Sequence, residues 1–288
     1  MKVAVMTDTN SGITVKEGQK LGIFVLPMPI IIDGKNYLEG INITSHELFS
    51  AMRQGCAVST SQPAPTDLIK MWDWIFSQGY DEIVYIPMSS GLSSSCHMAI
   101  QFAKEYNGRV QVADNHRISL TQKLSVLDAK YMANQGLTAV EICKKLEQNG
   151  LHAMIYIAVD TLEYLKKSGR VTKAGAAIAT VMNIKPILSI QGDKLDAFAK
   201  VRGIQQCQKK MIEALTQDYH TRFSGFPKER LVIGTAGSFE NEKDEQNWKN
   251  QVQEAFPEFD VPYIPLSCSI SSHTGWNARG LAIIVKES

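Results

Sequence analysis

The first half of the chain alternates short apolar runs with stretches of helical spacing. Strand-like runs cover Lys2–Met6, Ile23–Ile32, Glu82–Pro87 and Arg109–Ala113. Between and after them, apolar residues recur at helical spacing in Leu68–Phe76, Ser93–Ala103, Leu120–Met132 and Ala139–Leu146. Thr44–Glu47 resembles a capping box that opens a further helix ending near Met52. Such alternation predicts an α/β fold, a parallel sheet with helices on its faces.

The pattern changes after Gly150. Leu151–Val159 is strand-like, Leu162–Leu165 and Ala174–Met182 have helical spacing, and residues 187–199 predict a hairpin turning at Gln191–Lys194. Helices at Gln205–Thr216 and Asn247–Phe256 then alternate with strands at Leu231–Thr235, Val261–Leu266 and Leu281–Val285. We therefore expect two domains, a parallel-sheet α/β domain at 1–150 and an α+β domain with a mixed sheet at 151–288.

Charge and composition exclude several classes of protein. The 288 residues hold 30 Lys+Arg against 29 Asp+Glu, a formal net charge of +1, which lacks the basic excess of a dedicated nucleic-acid binder. The longest apolar stretch, Val25–Ile32, is far too short to cross a bilayer, and an early charge interrupts any signal-peptide core. We expect a soluble, cytoplasmic protein with no membrane span and no nucleic-acid partner.

Cysteine spacing gives no support to a metal site. The five cysteines are far apart, and no CxxC or HExxH pattern occurs. We expect free thiols in a reducing compartment, with Cys96 a small packed residue and not a nucleophile.

Three polar segments are candidates for function. They are Ser59–Pro63, the serine-rich Ser89–Ser95 after a strand, and the loop Ser271–Gly275 with His273. The simplest interpretation of the first is an N-cap for a helix starting at Asp67. Five serines in seven residues exceed the need of a cap, so Ser89–Ser95 is equally a candidate anion site at a helix N-terminus.

A hydrolase is the main alternative to a binding protein. Ser93 and His273 would need an acid such as Asp8 or Asp114 to form a triad, and Gly91–Ser95 does not match GxSxG. The sequence also has no phosphate-loop or dinucleotide fingerprint. Binding of an anion is therefore favoured over catalysis.

Six motifs in order resemble the DegV family, whose members include fatty-acid-binding subunits of bacterial fatty acid kinase. After an opening strand and Thr7–Thr9, the matching segments are Thr60–Pro63 (TSQP), Ser89–Ser93 (SSGLS), Leu165–Arg170, Lys185–Ile187, Lys200–Arg202 and His273–Gly275 (HTG). The resemblance implies two α/β domains that hold one long-chain fatty acid, such as palmitate or oleate, in a tunnel between them.

The resemblance also implies roles for individual residues. Thr60, Ser61, Ser93 and His273 would bind the fatty-acid carboxylate, and Arg170 and Arg202 would contact the head group or a partner. The partner would be the catalytic subunit of an ATP-dependent fatty acid kinase, which converts the presented carboxylate to an acyl phosphate. This chain itself would be no enzyme, with no cofactor and no metal.

The sequence departs from the family pattern at Ser94, Ser95, Cys96, Gly203 and Trp276, which bears on head-group shape, partner docking and acyl-length preference. Two alternatives stay open: a serine-dependent hydrolase or acyl transferase using Ser93 and His273, and a carrier of another small carboxylate or phosphate.

Overall fold

The computed structural model describes residues 1–177, 184–192 and 194–287. The strands are β1 (Val3–Asp8), β2 (Phe24–Leu26), β3 (Pro29–Ile32), β4 (Lys35–Leu38), β5 (Val58–Thr60), β6 (Glu82–Ile86), β7 (Val110–Val112), β8 (Ala153–Ala158), β9 (Ile184–Ile190), β10 (Asp196–Arg202), β11 (Leu231–Gly237), β12 (Tyr263–Pro265) and β13 (Arg279–Val285). The helices are α1 (Val15–Leu21), α2 (Ser45–Arg53), α3 (Pro65–Ser77), α4 (Ser95–Ala103), α5 (Ser119–Asn134), α6 (Ala139–Asn149), α7 (Glu163–Ser168), α8 (Lys173–Ala176), α9 (Ile204–His220), α10 (Glu242–Ala255) and α11 (Cys268–Thr274).

The N-terminal part is built on a parallel sheet with strand order β2-β1-β6-β7. Successive residues of β1 point to opposite faces of this sheet, and helices pack on both faces. Val3 and Val5 pack on one side with α5 and α6, whereas Ala4 and Met6 pack on the other with α3 and α4. A parallel sheet buried on both faces is the architecture that the alternating pattern predicts, and the α/β prediction is confirmed.

The C-terminal part is a six-stranded mixed sheet with order β10-β9-β8-β13-β11-β12, in which only β11 and β12 pair in parallel. Tyr156, Ile283 and Val285 pack on one face among side chains from α9 and α10, including Met211 and Trp248. The opposite face, with Ile157 and Ala282, is directed toward the N-terminal part. The boundary predicted at residue 150 lies between α6 and β8 and stays a prediction.

One predicted strand is in fact two. Ile23–Ile32 divides into β2 of the parallel sheet and β3 of a separate antiparallel sheet of order β4-β3-β5. Pro27 lies in the break and has no amide to donate, and the Met28 amide donates to the Thr9 hydroxyl (3.2 Å) instead of to a strand. The small sheet ends at Thr60, one of the predicted site residues.

Other elements differ less from the expectation. The Thr44 capping box and the hairpin of β9 and β10 are confirmed, whereas α1 and α11 were not predicted. The predicted helix at Ala174–Met182 is described only as far as residue 177, where α8 covers Lys173–Ala176. Residues 178–182 and Asp193 of the predicted hairpin turn lie outside the described residues.

Candidate functional site

A cavity of about 390 Å³ lies between the parallel sheet and the six-stranded sheet. Its walls come from the loops after β1 and β6, the start of α5, one face of α11 and the middle of β8, β11 and β13. These loops follow the carboxyl ends of parallel strands, where open α/β sheets bind ligands. The volume is within the range of small-molecule sites.

Most of the wall is apolar. Ile155 and Ile157 of β8, Ile190 of β9 and Leu120 of α5 line the cavity, as does Leu266 before α11. The absence of a side chain at Gly234 allows β11 to lie close to Leu120 of α5, because a Cβ at this position would lie 2.4 Å from the Leu120 Cδ2 atom. Such a wall favours an apolar ligand over a small hydrophilic one.

Polar side chains gather where the cavity meets the surface. The Thr60 hydroxyl and His273 Nε2 share a hydrogen bond of 2.8 Å, which joins the end of β5 to α11. Arg170 lies beside His273, and its Nε donates to the Leu92 carbonyl (3.4 Å), next to Ser93. Ser61 is exposed at the mouth. The structure therefore brings Thr60, Ser61, Ser93, Arg170 and His273 to one end of one cavity.

His273 is a neutral imidazole at neutral pH. Burial, and then the neighbouring Arg170 guanidinium, lower its pKa from 6.5 to about 4. Arg170 is the positive charge at this end, and its Nη1 also donates to the Ser168 carbonyl (2.5 Å). Hydroxyl and imidazole groups beside one guanidinium can hold a carboxylate by charge-assisted hydrogen bonds.

Two placements inferred from sequence are wrong. His273 lies in α11 and not in a loop, because Ser267 caps that helix by accepting from the Ile270 amide (3.1 Å). Ser59–Ser61 do not cap the next helix, which begins at Pro65 with no side-chain cap. Arg202, on β10, is exposed and is not among the cavity-lining residues that the structure describes.

A triad is not assembled in the described part of the chain. The Ser93 hydroxyl donates to Ser95 Oγ (3.0 Å) and accepts from the Ser95 amide, and His273 bonds Thr60. The Asp8 carboxylate accepts from the Met88 amide (3.0 Å) and from Gln122 Nε2 (3.2 Å), and Asp114 accepts from the Ser90 amide. No hydrogen bond or ion pair between His273 and a carboxylate is found within residues 1–177, 184–192 and 194–287.

Of the residues that depart from the family pattern, Ser94 lies at the cavity, whereas Ser95, Cys96 and Trp276 are not among its described lining residues. Ser94 lines the cavity, so it shapes the head-group end. Ser95 and Cys96 are the first residues of α4, and both are buried, which confirms that Cys96 is a packed residue. Trp276 is not among the described lining residues and packs near Tyr164 instead (ring centroids 6.1 Å apart).

Several lining residues were not found from the sequence. Asn10, Met28, Ser119 and Ser269 reach the cavity from separate elements. Asn10 directly follows Thr7–Thr9 in a polar segment after the first strand, and Ser119 carries no local signal in the sequence. In the described residues, no helix is long and apolar enough to span a membrane, and no cluster of three or more possible metal-binding side chains occurs.

Comparisons with known proteins agree over the whole chain. Residues 2–286 match the family model described as "Uncharacterised protein, DegV family". A DegV domain-containing protein from Staphylococcus aureus is 30% identical over 288 residues, which cover 99% of this chain and 98% of that protein.

Solved structures share the fold. A DegV family protein from Thermus thermophilus, described by its fatty-acid binding, is 26% identical with a TM-score of 0.88, over 99% of this chain and 100% of that one. A fatty-acid-binding DegV family protein from Streptococcus agalactiae is 25% identical with a TM-score of 0.85, over the full length of both chains.

Proposed function

The chain belongs to the DegV family, and we propose that it binds one long-chain fatty acid, such as palmitate or oleate, in the cavity between its two large sheets. The observation that carries this proposal is the division of the cavity into a mostly apolar interior and a polar mouth. That division matches the two parts of a fatty acid. The DegV neighbours described as fatty-acid-binding support the same ligand class.

The carboxylate would lie at the mouth. Thr60, Ser93 and His273 would supply hydrogen bonds, with Ser61 at the exposed side and Arg170 supplying the positive charge. Thr60 and His273 are already joined by a hydrogen bond, and Arg170 lies beside His273 and donates to the carbonyl of Leu92, the residue before Ser93. A preformed arrangement lowers the entropy lost when the ligand is fixed.

The acyl chain would supply most of the affinity. Each buried methylene contributes roughly 0.8 kcal/mol, so about 14 of them contribute roughly 11 kcal/mol before the cost of association. The head group then mainly fixes orientation. A carrier of a small carboxylate or phosphate would need a short polar cavity, which the apolar lining does not favour.

Competition binding tests the ligand class. Delipidated protein should bind palmitate or oleate, measured by displacement of a fluorescent fatty acid, and butyrate or inorganic phosphate should not compete. Competition by butyrate or phosphate with no effect of palmitate would favour the small-anion carrier. Labelling of Ser93 by a fluorophosphonate would favour the hydrolase.

Presentation of the carboxylate to a separate ATP-dependent fatty acid kinase is a further step of the proposal. It rests on the family resemblance and agrees with the exposed Ser61, Gln62 and Ser94 at the mouth, where a second protein has access. Arg202 would contact that protein, because its exposed place on β10 suits a surface interaction.

Reconstitution with the purified kinase of the same organism tests this step. Loaded protein should stimulate formation of acyl phosphate, trapped as the hydroxamate. Arg202→Glu should reduce the stimulation and leave palmitate affinity unchanged. Kinase turnover that does not respond to the loaded protein would contradict the partner assignment while leaving fatty-acid binding untouched.

A further inference from the structure

Part of the cavity wall is a floor of small residues on β11 and β13. Strand register pairs Ala236 with Gly280, here called the outer row, and Gly234 with Ala282, the inner row. All four residues line the cavity, and because side chains alternate between the faces of a sheet, the two rows lie on one face. The neighbours of the two rows on β8 are Ile157 and Ile155. Small residues beside bulky ones leave room for an acyl chain over β11 and β13.

The two rows lie at different depths from the polar mouth. The helix α11, which carries His273, ends against this edge of the sheet, where Ser238 after β11 donates to the carbonyl of Gly275 (2.7 Å). Gly234 lies three residues before Gly237, the last residue of β11, which is about 10 Å along the strand. The outer row is therefore the nearer to α11, and the inner row is the deeper.

The cavity ends just beyond the inner row. The next pair on the same face is Val232 with Ile284, and Ile284 is fully buried. Neither residue is among the cavity-lining residues that the structure describes. Ile284 packs instead in one core cluster with Leu120 of α5. The deep end of the cavity is therefore closed by packed side chains.

Leu120 covers the inner row. A Cβ at Gly234 would lie 2.4 Å from Leu120 Cδ2, whereas a Cβ at Gly280 would meet first its neighbour in the sheet, Ala236, at 3.4 Å. Leu120 lines the cavity and is 4% exposed. The floor is thus open over the outer row and occupied by the Leu120 side chain over Gly234.

We propose that Leu120 is the residue that limits acyl-chain length, and that the methyl end of the longest well-bound fatty acid stops against it. The proposal rests on the proposed function and adds a selectivity to it. Trp276, the other bulky residue that bears on acyl length, packs near Tyr164 and is not among the described lining residues.

A limit of this kind gives affinity a characteristic dependence on chain length. Up to the limit, each added methylene is buried and tightens binding about fourfold. Beyond the limit, a further methylene must displace Leu120 from a close-packed core or draw the carboxylate away from the mouth, and either change cancels the gain. Affinity should therefore rise with chain length and then stop rising.

A series of saturated acids from C12 to C22 tests the proposal. Displacement of a fluorescent fatty acid from delipidated protein gives the affinity at each length and the length at which it stops rising. Leu120→Ala shortens the side chain at the closed end, so the limit should move up by about two methylenes. The acid two methylenes beyond the wild-type limit should then gain about 15-fold relative to the acid at that limit.

A filling variant acts in the opposite direction. Ala282→Val adds volume to the inner row from β13 and should move the limit to shorter chains. Because this variant changes a different element, it tests the proposal even where Leu120→Ala does not fold.

Two further variants are matched controls. Leu124→Ala truncates the same residue type one turn farther along α5, where the side chain packs against the same core cluster but is not among the described lining residues. It should lower stability and leave the length limit unchanged. Trp276→Ala should also leave the limit unchanged.

The outcomes separate this proposal from the proposed function. If affinity in the wild type rises through the whole series, or if the limit is unchanged in folded Leu120→Ala or Ala282→Val, the proposal is overturned. A limit that moves in Trp276→Ala and not in Leu120→Ala assigns it to the indole and also overturns the proposal. If no acid of any length binds, the proposed function itself fails.

Discussion

His273 lies where its protonation changes both stability and the charge of the mouth. Its pKa of about 4 means that the folded protein takes up this proton only in acid, whereas the unfolded chain takes it up near pH 6.5. The imidazole therefore stabilises the fold fully above pH 6.5, and this contribution is lost as the pH falls from 6.5 to 4.

A variant without the ionisable ring tests this at the residue scale. In His273→Gln, the free energy of unfolding should decline less on acidification than in the wild type, by up to about 3 kcal/mol between pH 6.5 and pH 4. Urea unfolding of delipidated protein at several pH values measures the difference. Equal pH slopes for the two proteins would show that His273 is not held in its neutral form.

Ser93 is the hydroxyl for which we expect the largest single effect on ligand retention. Ser93→Ala should weaken palmitate binding by roughly 1.5–3 kcal/mol, about tenfold to a hundredfold, because one hydrogen bond to a charged carboxylate is lost. The variant should unfold at nearly the same urea concentration as the wild type.

Ser90→Ala is the matched control for Ser93. Ser90 belongs to the same loop but is not among the described lining residues of the cavity. Isothermal calorimetry should show wild-type affinity for this control. An unchanged affinity in Ser93→Ala would place the carboxylate elsewhere.

At the scale of elements, α11 is held at its N-terminus by a distant carboxylate. Glu39 follows β4, and it accepts from the amides of Cys268 and Ser269 and from the Thr9 hydroxyl (2.7 Å). A carboxylate at a helix N-terminus is favourable, but burial raises the pKa of Glu39 from 4.5 to about 7. Glu39 therefore positions the helix that carries His273.

The contribution of Glu39 to folding stability changes with pH in the opposite direction to that of His273. Between pH 4.5 and pH 7 the folded protein keeps a proton that the unfolded chain has lost, so this contribution to stability is full below pH 4.5 and is lost as the pH rises to 7.

Glu39→Gln removes this contribution. On acidification from pH 7 to pH 4.5, the free energy of unfolding of the variant, measured by urea unfolding, should therefore decline more than that of the wild type. Asp8 and the Cys268 thiol face Glu39 and are unchanged in the variant. If the free energy of unfolding of the variant changes with pH as it does in the wild type, the raised pKa of Glu39 is contradicted.

The contact between β11 and α5 sets the width of the cavity. A Cβ at Gly234 would meet the Leu120 side chain at 2.4 Å and Pro262 at 3.0 Å, so Gly234→Ala should lower stability by about 1–3 kcal/mol and weaken long-chain binding. Gly280→Ala is the control, because it also lines the cavity but its Cβ would meet atoms only at 3.4 Å or beyond. Similar thermal stability and affinity in the two variants would contradict this account of the wall.

Elements with local signals were predictable from the sequence, and those fixed by distant contacts were not. The helix α2 has its capping box within four residues, Thr44 to Glu47, and was predicted correctly. By contrast, α11 has seven residues rich in serine, and its N-terminus is bound by Glu39, 229 positions earlier. The segments of Ser93 and His273 stand out in the sequence as clusters of polar residues, and the family resemblance adds their role, whereas Ser119 reaches the cavity only through the packing of α5.

At the scale of the whole molecule, two sheets of different architecture enclose an interior for the acyl chain. The wall spans β8, β11 and β13 on one side and the start of α5 on the other, so affinity should depend on the number of methylenes buried. Each loss of two methylenes should raise Kd roughly 15-fold, from about 0.8 kcal/mol each. Calorimetry with C12, C14 and C16 acids measures this, and affinity independent of chain length would show that the chain does not enter the cavity.

Native mass spectrometry shows directly whether this protein binds a fatty acid. Protein is stripped of lipid, mixed with a slight excess of palmitate, and transferred under conditions that keep non-covalent complexes intact. We expect one added palmitate per chain and no second adduct, with the adduct reduced in Ser93→Ala. A spectrum of unliganded protein alone, with palmitate present and the chain folded, would contradict fatty-acid binding by this protein.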